Sequence, residues 1–131
     1  MILSKNQYYV IVFIILALAI SRIIPHPPNF TPILGMAIFS GTFIGKKTFA
    51  YLIPLVAMFL SDLYLGFHSG MPIIYFSLAL CVLIGTFIGA RSTILIYVLG
   101  ISAGVIVFYL ITNFAVWYGS GMYDYTFSGL I

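Results

Sequence analysis

Charged side chains are scarce in this sequence, which has five basic and two acidic residues among 131. Charge this sparse and this widely spaced excludes a nucleic-acid surface and a polybasic lipid-binding patch. The sequence has one cysteine, Cys81, so an internal disulfide and a multi-cysteine metal site are excluded as well. The two histidines, His26 and His68, show no metal-ligand spacing, and no motif predicts a cofactor.

Apolar residues make up 63% of the chain, and its mean hydropathy is +1.23. These values are typical of an integral membrane protein. Five apolar stretches are each predicted to form a membrane-spanning helix: 8–24, 30–44, 49–65, 72–89 and 93–118. The second stretch is short for a full crossing, so we expect its outer end to lie below the membrane surface, sheltered by protein. The predicted fold is an all-α, polytopic transmembrane helix bundle that forms a single domain over residues 1–131.

The basic residues predict how this bundle is oriented in the membrane. Lys5 precedes the first span, Lys46 and Lys47 join the second and third spans, and Arg91 joins the fourth and fifth. With the amino terminus in the cytoplasm, four of the five basic residues lie on the cytoplasmic side and only Arg22 lies outside. The expected location is therefore the cell membrane, with several crossings and a cytoplasmic amino terminus.

The first span also has an alternative interpretation as a cleaved signal peptide. Lys5, the apolar run after it and Ala17-Leu18-Ala19 imitate the three regions of such a peptide. The apolar run continues through Ile24, however, and the rest of the chain would lose its regular alternation. We therefore favour a span that is retained.

A short motif occurs twice, as GTFIGKKT at residues 41–48 and as GTFIGARST at 85–93. Each copy ends an even-numbered span and leads into basic residues, which predicts two hairpins of the same orientation. Parallel repeats of this kind build some transporters around a shared site. Alternatively, Gly-x-x-x-Gly only allows close helix packing, and the similar spacings Gly100-x-x-x-Gly104 and Ala17-x-x-x-Ser21 favour that interpretation.

The few polar side chains collect at the outer ends of the predicted spans. Because polar groups at membrane depth tend to face protein or water, this one-sided distribution predicts an outward-facing pocket for a small organic molecule. The residues at these ends are Arg22, His26, Asn29 and Thr31 in the first corner, Ser61, Asp62, His68 and Ser69 in the second, and Asn113, Trp117, Tyr118, Tyr123 and Asp124 after the fifth span.

Four prolines stiffen the first corner, at positions 25, 27, 28 and 32. Since proline fixes φ, the corner would form a preorganised wall on which Asn29 and Thr31 contact a bound molecule. Equally, the segment ends one helix and starts the next, with Thr31 as the cap and Pro32 at the first helical position.

Four further residues are candidates for substrate binding, each with a structural alternative. Asp62, the one acid inside a predicted span, forms a salt bridge with Arg22 at similar depth, contacts the ligand, or does both. His68 lies in a glycine-flanked loop and is either solvated or a pH-sensitive contact. Asn113 and Trp117 are four residues apart and share a helix face, which we expect to turn inward, although Trp117 also suits an aromatic belt.

Segments along most of the chain resemble known families. PHPPNFTPILGMAIFSG, PLVAMFLSDLYLGFHSG, YFSLALCVLIG and ITNFAVWYGSGMYDYTFSGLI are similar to a family of small uncharacterised bacterial integral membrane proteins. More distantly, Pro-Asn-Phe-Thr-Pro before a glycine-containing span and Ser-Asp-Leu at the end of the third span resemble the substrate-binding S components of energy-coupling-factor (ECF) vitamin transporters.

The second resemblance implies six helices with both termini inside, a substrate pocket near the outer face, and docking to an energising module. Small residues of the first helix, here Ala17 and Ser21, would form the docking surface. The module comprises a transmembrane subunit and two ATPases. Since this sequence has no Gly-x-x-x-x-Gly-Lys-Ser/Thr loop, ATP hydrolysis would occur in that partner. Only five spans are predicted here, so either the chain lacks a final helix or it functions with an odd number of spans.

Three functions follow from these observations. The leading one is a membrane-embedded subunit that binds a small, vitamin-like organic solute for uptake, energised by a separate partner. The alternative is a structural or assembly membrane protein without a ligand. An enzyme is disfavoured because Asp62 has no second acid beside it and no serine, histidine and acid occur at a plausible spacing.

Overall fold

The computed structural model describes residues 4–26 and 32–130, and within them the fold is entirely helical. The predicted all-helical membrane bundle is confirmed. In the described part of the chain, four helices are long and apolar enough to cross a membrane, whereas the second helix is shorter. The helices are α1 (Lys5–Ile23), α2 (Ile33–Phe43), α3 (Lys47–Leu65), α4 (Met71–Ile88), α5 (Ile94–Gly119) and the single turn α6 (Phe127–Leu130).

Local sequence signals set several of the helix ends. Ser4 caps α1 in a capping box with Gln7, and the Thr93 hydroxyl accepts a hydrogen bond from the backbone N–H of Ile96 at the start of α5. Gly66 and Gly89 end α3 and α4 with φ of +97° and +71°, a conformation that other residues rarely adopt. These ends leave short connections, so consecutive helices from α2 to α5 run antiparallel.

Ring contacts show which helix ends lie together. Tyr8 at the start of α1 meets Phe49 at the start of α3, with ring centroids 6.3 Å apart, so α1 and α3 are parallel. Phe43 at the end of α2 stacks on Tyr97 at the start of α5 at 5.9 Å. One end of the bundle therefore carries Lys5, Lys46, Lys47 and Arg91, and we call it the basic end. The other, the polar end, carries Arg22, Asp62, His68 and the end of α5.

Cysteine labelling tests the predicted orientation of these two ends. We expect Lys46→Cys and Arg91→Cys to react only with a membrane-permeant maleimide in intact cells, because the basic end is predicted to be cytoplasmic. His68→Cys and Tyr123→Cys should react with an impermeant maleimide from outside. Native Cys81 is fully buried and serves as the unreactive background. Labelling of both pairs from the same compartment would contradict the arrangement.

The repeated motif places two glycines at the closest helix contact of the bundle. A Cβ added to Gly41 would lie 2.0 Å from the carbonyl oxygen of Val82, and one added to Gly85 would lie 2.2 Å from that of Ile38. The two contacts are equivalent, since each glycine meets the residue three positions before the other. The first glycine of each repeat therefore allows the parallel helices α2 and α4 to pack backbone against backbone.

The second glycine of each repeat has a different role from the packing that the motif predicts. A Cβ at Gly45 or Gly89 would meet nothing within 4 Å, and Gly89 terminates α4. In α5, by contrast, both glycines of Gly100-x-x-x-Gly104 are close packing positions. Gly100 packs against the side chain of Ile88, and Gly104 packs against that of Ile38. The packing interpretation is confirmed for these four close contacts and does not extend to Gly45 and Gly89.

Helix α2 begins well inside the bundle. Its 11 residues span about 16 Å, against roughly 30 Å of hydrocarbon. The contact between Gly41 and Gly85 sets α2 and α4 in register, which places Ile33 level with Ser77, about 9 Å below the start of α4. Ile33 is only 1% exposed. As expected, the helix starts well below the polar end of α4 and is sheltered there by protein; that this end faces outward stays a prediction.

Candidate functional site

Asp62 is buried in the last turn of α3 and forms a salt bridge with Arg22. The Nη1 atom of Arg22 lies 2.7 Å from Oδ1 of Asp62, and their side chains are 16% and 1% exposed. Because α1 and α3 are parallel and of equal length, two residues near their ends meet at the same depth. The predicted salt bridge is confirmed.

Two further side chains complete this group, which we call the charge cluster: Arg22, Ser61, Asp62 and Tyr75. The phenol of Tyr75 in α4 donates a hydrogen bond of 2.8 Å to Oδ2 of Asp62. Ser61 Oγ accepts a bond of 2.5 Å from Arg22 Nη1 and donates one of 2.7 Å to the carbonyl of Met58. Both carboxylate oxygens therefore have partners, and within the described residues no buried side-chain polar atom lacks one.

The charge cluster joins α1, α3 and α4 at the polar end. In a low-dielectric surrounding, a lone carboxylate would be very costly, and the guanidinium and phenol offset that cost. Because the Asp62 side chain is only 1% exposed, a ligand could reach it only if the side chains around it moved. The geometry thus supports structural stabilisation by Asp62.

Sequence analysis missed Tyr75, although a signal for it existed. A buried carboxylate has two oxygens to satisfy, whereas only one cation, Arg22, was available at that depth. Tyr75 is the fifth residue of α4, which starts at the polar end, so its hydroxyl was within reach of the end of α3.

A groove lies at the polar end of the bundle, between the start of α4, the second half of α5 and α6. Its volume is about 400 Å³, and its lining is largely apolar and aromatic. Asn113 is on its wall and donates a hydrogen bond of 2.8 Å to the carbonyl of Tyr109 on its own helix. We call it the α5 groove; its other lining residues are Ile73, Leu110, Ile111, Phe114, Ala115 and Leu130.

The α5 groove does not bring together all the predicted binding residues. Neither Asp62 nor Trp117 lines it. Helix α5 packs against α4 and, less extensively, α2, whereas Asp62 faces α1 and α4. Asn113 is exposed and does not turn into the bundle as expected. Its hydrogen bond to Tyr109 satisfies part of the carboxamide without a partner on another helix.

Residues 3–131 match the model of a family of unknown function, DUF6580. The chain belongs to this family. The match covers almost the whole sequence and agrees with the expected likeness to small uncharacterised membrane proteins. No curated protein and no solved structure matches the chain. The likeness to ECF S components therefore stays a prediction.

Trp117 of this DUF6580 chain is held by the segment that follows α5. Its Nε1 donates a hydrogen bond of 2.9 Å to the carbonyl of Asp124, and its ring makes an edge contact with Tyr125 at 5.4 Å. Tyr125 in turn donates a hydrogen bond of 2.9 Å to the carbonyl of Tyr118. The half-buried indole thus fixes the chain after α5 against the end of that helix.

The remaining predicted residues of the DUF6580 chain are dispersed. His68 is exposed in the connection between α3 and α4. Asn29 and Thr31 lie outside the described residues. On α1, Ala17 is exposed, and half-buried Ser21 donates a hydrogen bond of 2.6 Å to the carbonyl of Leu18. Their role in docking a partner stays a prediction.

Proposed function

We propose that this protein is the membrane-embedded binding subunit of an uptake system for a small organic solute, energised by a separate partner. The observation that carries the proposal is the start of α2 at Ile33, about 9 Å below the start of α4. In transporters, short or interrupted helices that end at membrane depth commonly mark the substrate site. Here the segment with Asn29 and Thr31 leads directly into such a helix.

The position of α2 gives the proline corner a specific role. The amide groups of a helix's first turn bond outside their own helix, and the positive end of the helix dipole favours polar or anionic groups. We therefore place the polar part of the solute at the start of α2, with Asn29 and Thr31 as its contacts.

The α5 groove supplies the apolar part of the proposed site. Tyr109 and Phe114 line it, and aromatic rings favour a flat, vitamin-like molecule by stacking. Asn113 contributes a carboxamide at the edge. Because Arg22 and Tyr75 satisfy Asp62, the site has no unpaired carboxylate from this residue to select a cation, so we propose a neutral or anionic solute. His68 and Trp117 do not line this groove, and their contact with the solute stays a prediction.

Uptake by this subunit needs no covalent chemistry. The solute enters at the polar end, and a rearrangement of the bundle releases it at the basic end. Since the sequence lacks a phosphate-binding loop, a transmembrane subunit with ATPases would supply the energy. The exposed position of Ala17 on α1 is compatible with docking of such a module there.

Blocking the α5 groove tests the proposal. Native mass spectrometry of the purified protein should detect a small co-purifying molecule of defined mass. Ala115→Phe places a ring in the groove and should reduce occupancy at least tenfold. Ala103→Phe, an equal increase in volume at an exposed position of the same helix, should leave it unchanged. Asn29→Ala should weaken binding through loss of the polar contact.

The same measurements can contradict this proposal. A molecule that remains bound to both Ala115→Phe and Asn29→Ala would show that the solute does not occupy this site. A wild-type protein that binds no small molecule but purifies with another membrane subunit would favour the assembly function. That second candidate has one specific observation in its favour: along the 26 residues of α5, only Gly104 is buried, which leaves a long helix face for lipid or a partner.

A further inference from the structure

The basic end of the bundle contains a second groove, unrelated to the proposed solute site. Helices α1 and α2 both pack against α3 but make few contacts with each other, which leaves a cleft with Phe49 of α3 beneath it. Its volume is about 810 Å³. We call it the α1–α2 groove; its walls are Val10, Ile11 and Ile14 from α1, and Met36, Phe39 and Phe43 from α2.

The α1–α2 groove is apolar along its length and polar only at its mouth. From Asn6 to Ile14 it follows α1 for about 12 Å, most of the roughly 15 Å of hydrocarbon in one leaflet. Asn6, Gln7 and Lys46 lie at the mouth. The Nζ atom of Lys46 lies 5.1 Å from the centroid of the Phe49 ring, so the ammonium group stands over the entrance to the apolar cleft.

The charge around the mouth has a single sign. Four of the five basic residues of the sequence lie at this end, and both acidic residues, Asp62 and Asp124, lie at the other. The scarcity of charge excludes a polybasic patch. A groove, however, can bind an anionic lipid with only one or two cations beside an apolar channel. An anionic head group at the mouth and an acyl chain in the channel match this pattern.

We propose that the α1–α2 groove binds an anionic glycerophospholipid from the leaflet at the basic end, with one acyl chain between α1 and α2 and the phosphate beside Lys46. The surrounding bilayer supplies this occupant at high local concentration. Immersion in lipid also explains why so open an apolar cleft is tolerated. Bound in this way, the lipid fills the space that α1 and α2 leave over α3.

Matched pairs of variants test the lipid site. Phosphatidylglycerol and phosphatidylcholine with identical palmitoyl and oleoyl chains are titrated into delipidated protein in detergent, and bound lipid is counted by native mass spectrometry. Val10→Trp fills the groove and should abolish the tight binding of either lipid. Val12→Trp, on the same helix and similarly exposed (52% against 56% for Val10) but outside the groove, should retain it.

The charge of the mouth is tested separately. Wild type should prefer phosphatidylglycerol about fivefold, as expected for one cation near the head group. Lys46→Gln should remove this preference, while Arg91→Gln, which removes the same charge from the same end outside the groove, should keep it. Tight binding that survives Val10→Trp, a loss shared by Val12→Trp, or equal effects of the two charge variants would overturn the proposal. A solute bound or lost at the polar end affects none of these outcomes.

Discussion

Asp62→Ala is expected to lower the free energy of unfolding by about 3–5 kcal/mol, the largest effect that we expect from a single polar substitution here. The variant leaves the guanidinium of Arg22, whose side chain is only 16% exposed, without its counter-ion. It also leaves the phenol of Tyr75 without an acceptor. Thermal unfolding in detergent, followed by tryptophan fluorescence through Trp117, would measure the loss.

The control for this prediction is the other acidic residue. Asp124 is exposed and contacts Trp117 through its backbone carbonyl, so Asp124→Ala should change stability by less than about 0.5 kcal/mol. The exchanged pair Arg22→Asp with Asp62→Arg should recover part of the stability that either single reversal loses, because the opposite charges meet again. No recovery in the exchanged pair, or equal losses in Asp62→Ala and Asp124→Ala, would contradict a stabilising salt bridge.

Hydropathy predicted well where the long helices end. The first and third stretches ended where α1 and α3 end, within one residue, and this placed Arg22 and Asp62 at the same level. With one acid inside a predicted span and one nearby cation, depth alone was enough to name their pairing as one of the two roles considered for Asp62. The short second stretch likewise indicated that α2 starts below the surface, because the length of a helix and its register can be counted from the sequence.

Hydropathy does not determine which helices are neighbours or which way a helix face turns. Asn113 and Asp62 were expected to share a pocket because both lie at the polar end. In the structure, α5 packs on α4, away from the face of α3 that holds Asp62. The expectation that Asn113 faces inward was wrong for a related reason. Its carboxamide donates a hydrogen bond to the carbonyl of Tyr109 within the same helix, so the side chain does not have to be buried against another helix.

The two copies of the glycine motif have the same spacing, but the two glycines within each copy have different roles. Spacing shows that small residues share a face, and only the position of a second helix decides whether that face is covered. Gly41 and Gly85 lie where α2 and α4 cross, whereas Gly45 and Gly89 lie where the helices have ended. The crossing point is therefore a property of the packed pair of helices, and a substitution there acts on both.

Gly41→Ala is accordingly expected to lower the free energy of unfolding by about 3 kcal/mol, at the upper end of the usual cost of overpacking. The added methyl would lie 2.0 Å from the carbonyl oxygen of Val82, which belongs to the backbone and has no rotamer through which to move away. The two helices would have to separate, which exposes the packed interface along both. Gly85→Ala should act alike because it meets the carbonyl of Ile38 at 2.2 Å.

Gly35→Ala is the matched control, since it adds the same methyl to the same helix. A Cβ at Gly35 would meet nothing within 4 Å, so this variant should be as stable as wild type or more stable by up to about 1 kcal/mol, the usual gain in helix propensity. Denaturation of all three variants in one detergent would compare them. Equal stability of Gly41→Ala and Gly35→Ala would show that α2 and α4 are not packed backbone against backbone, and the depth assigned to the start of α2 would no longer be supported.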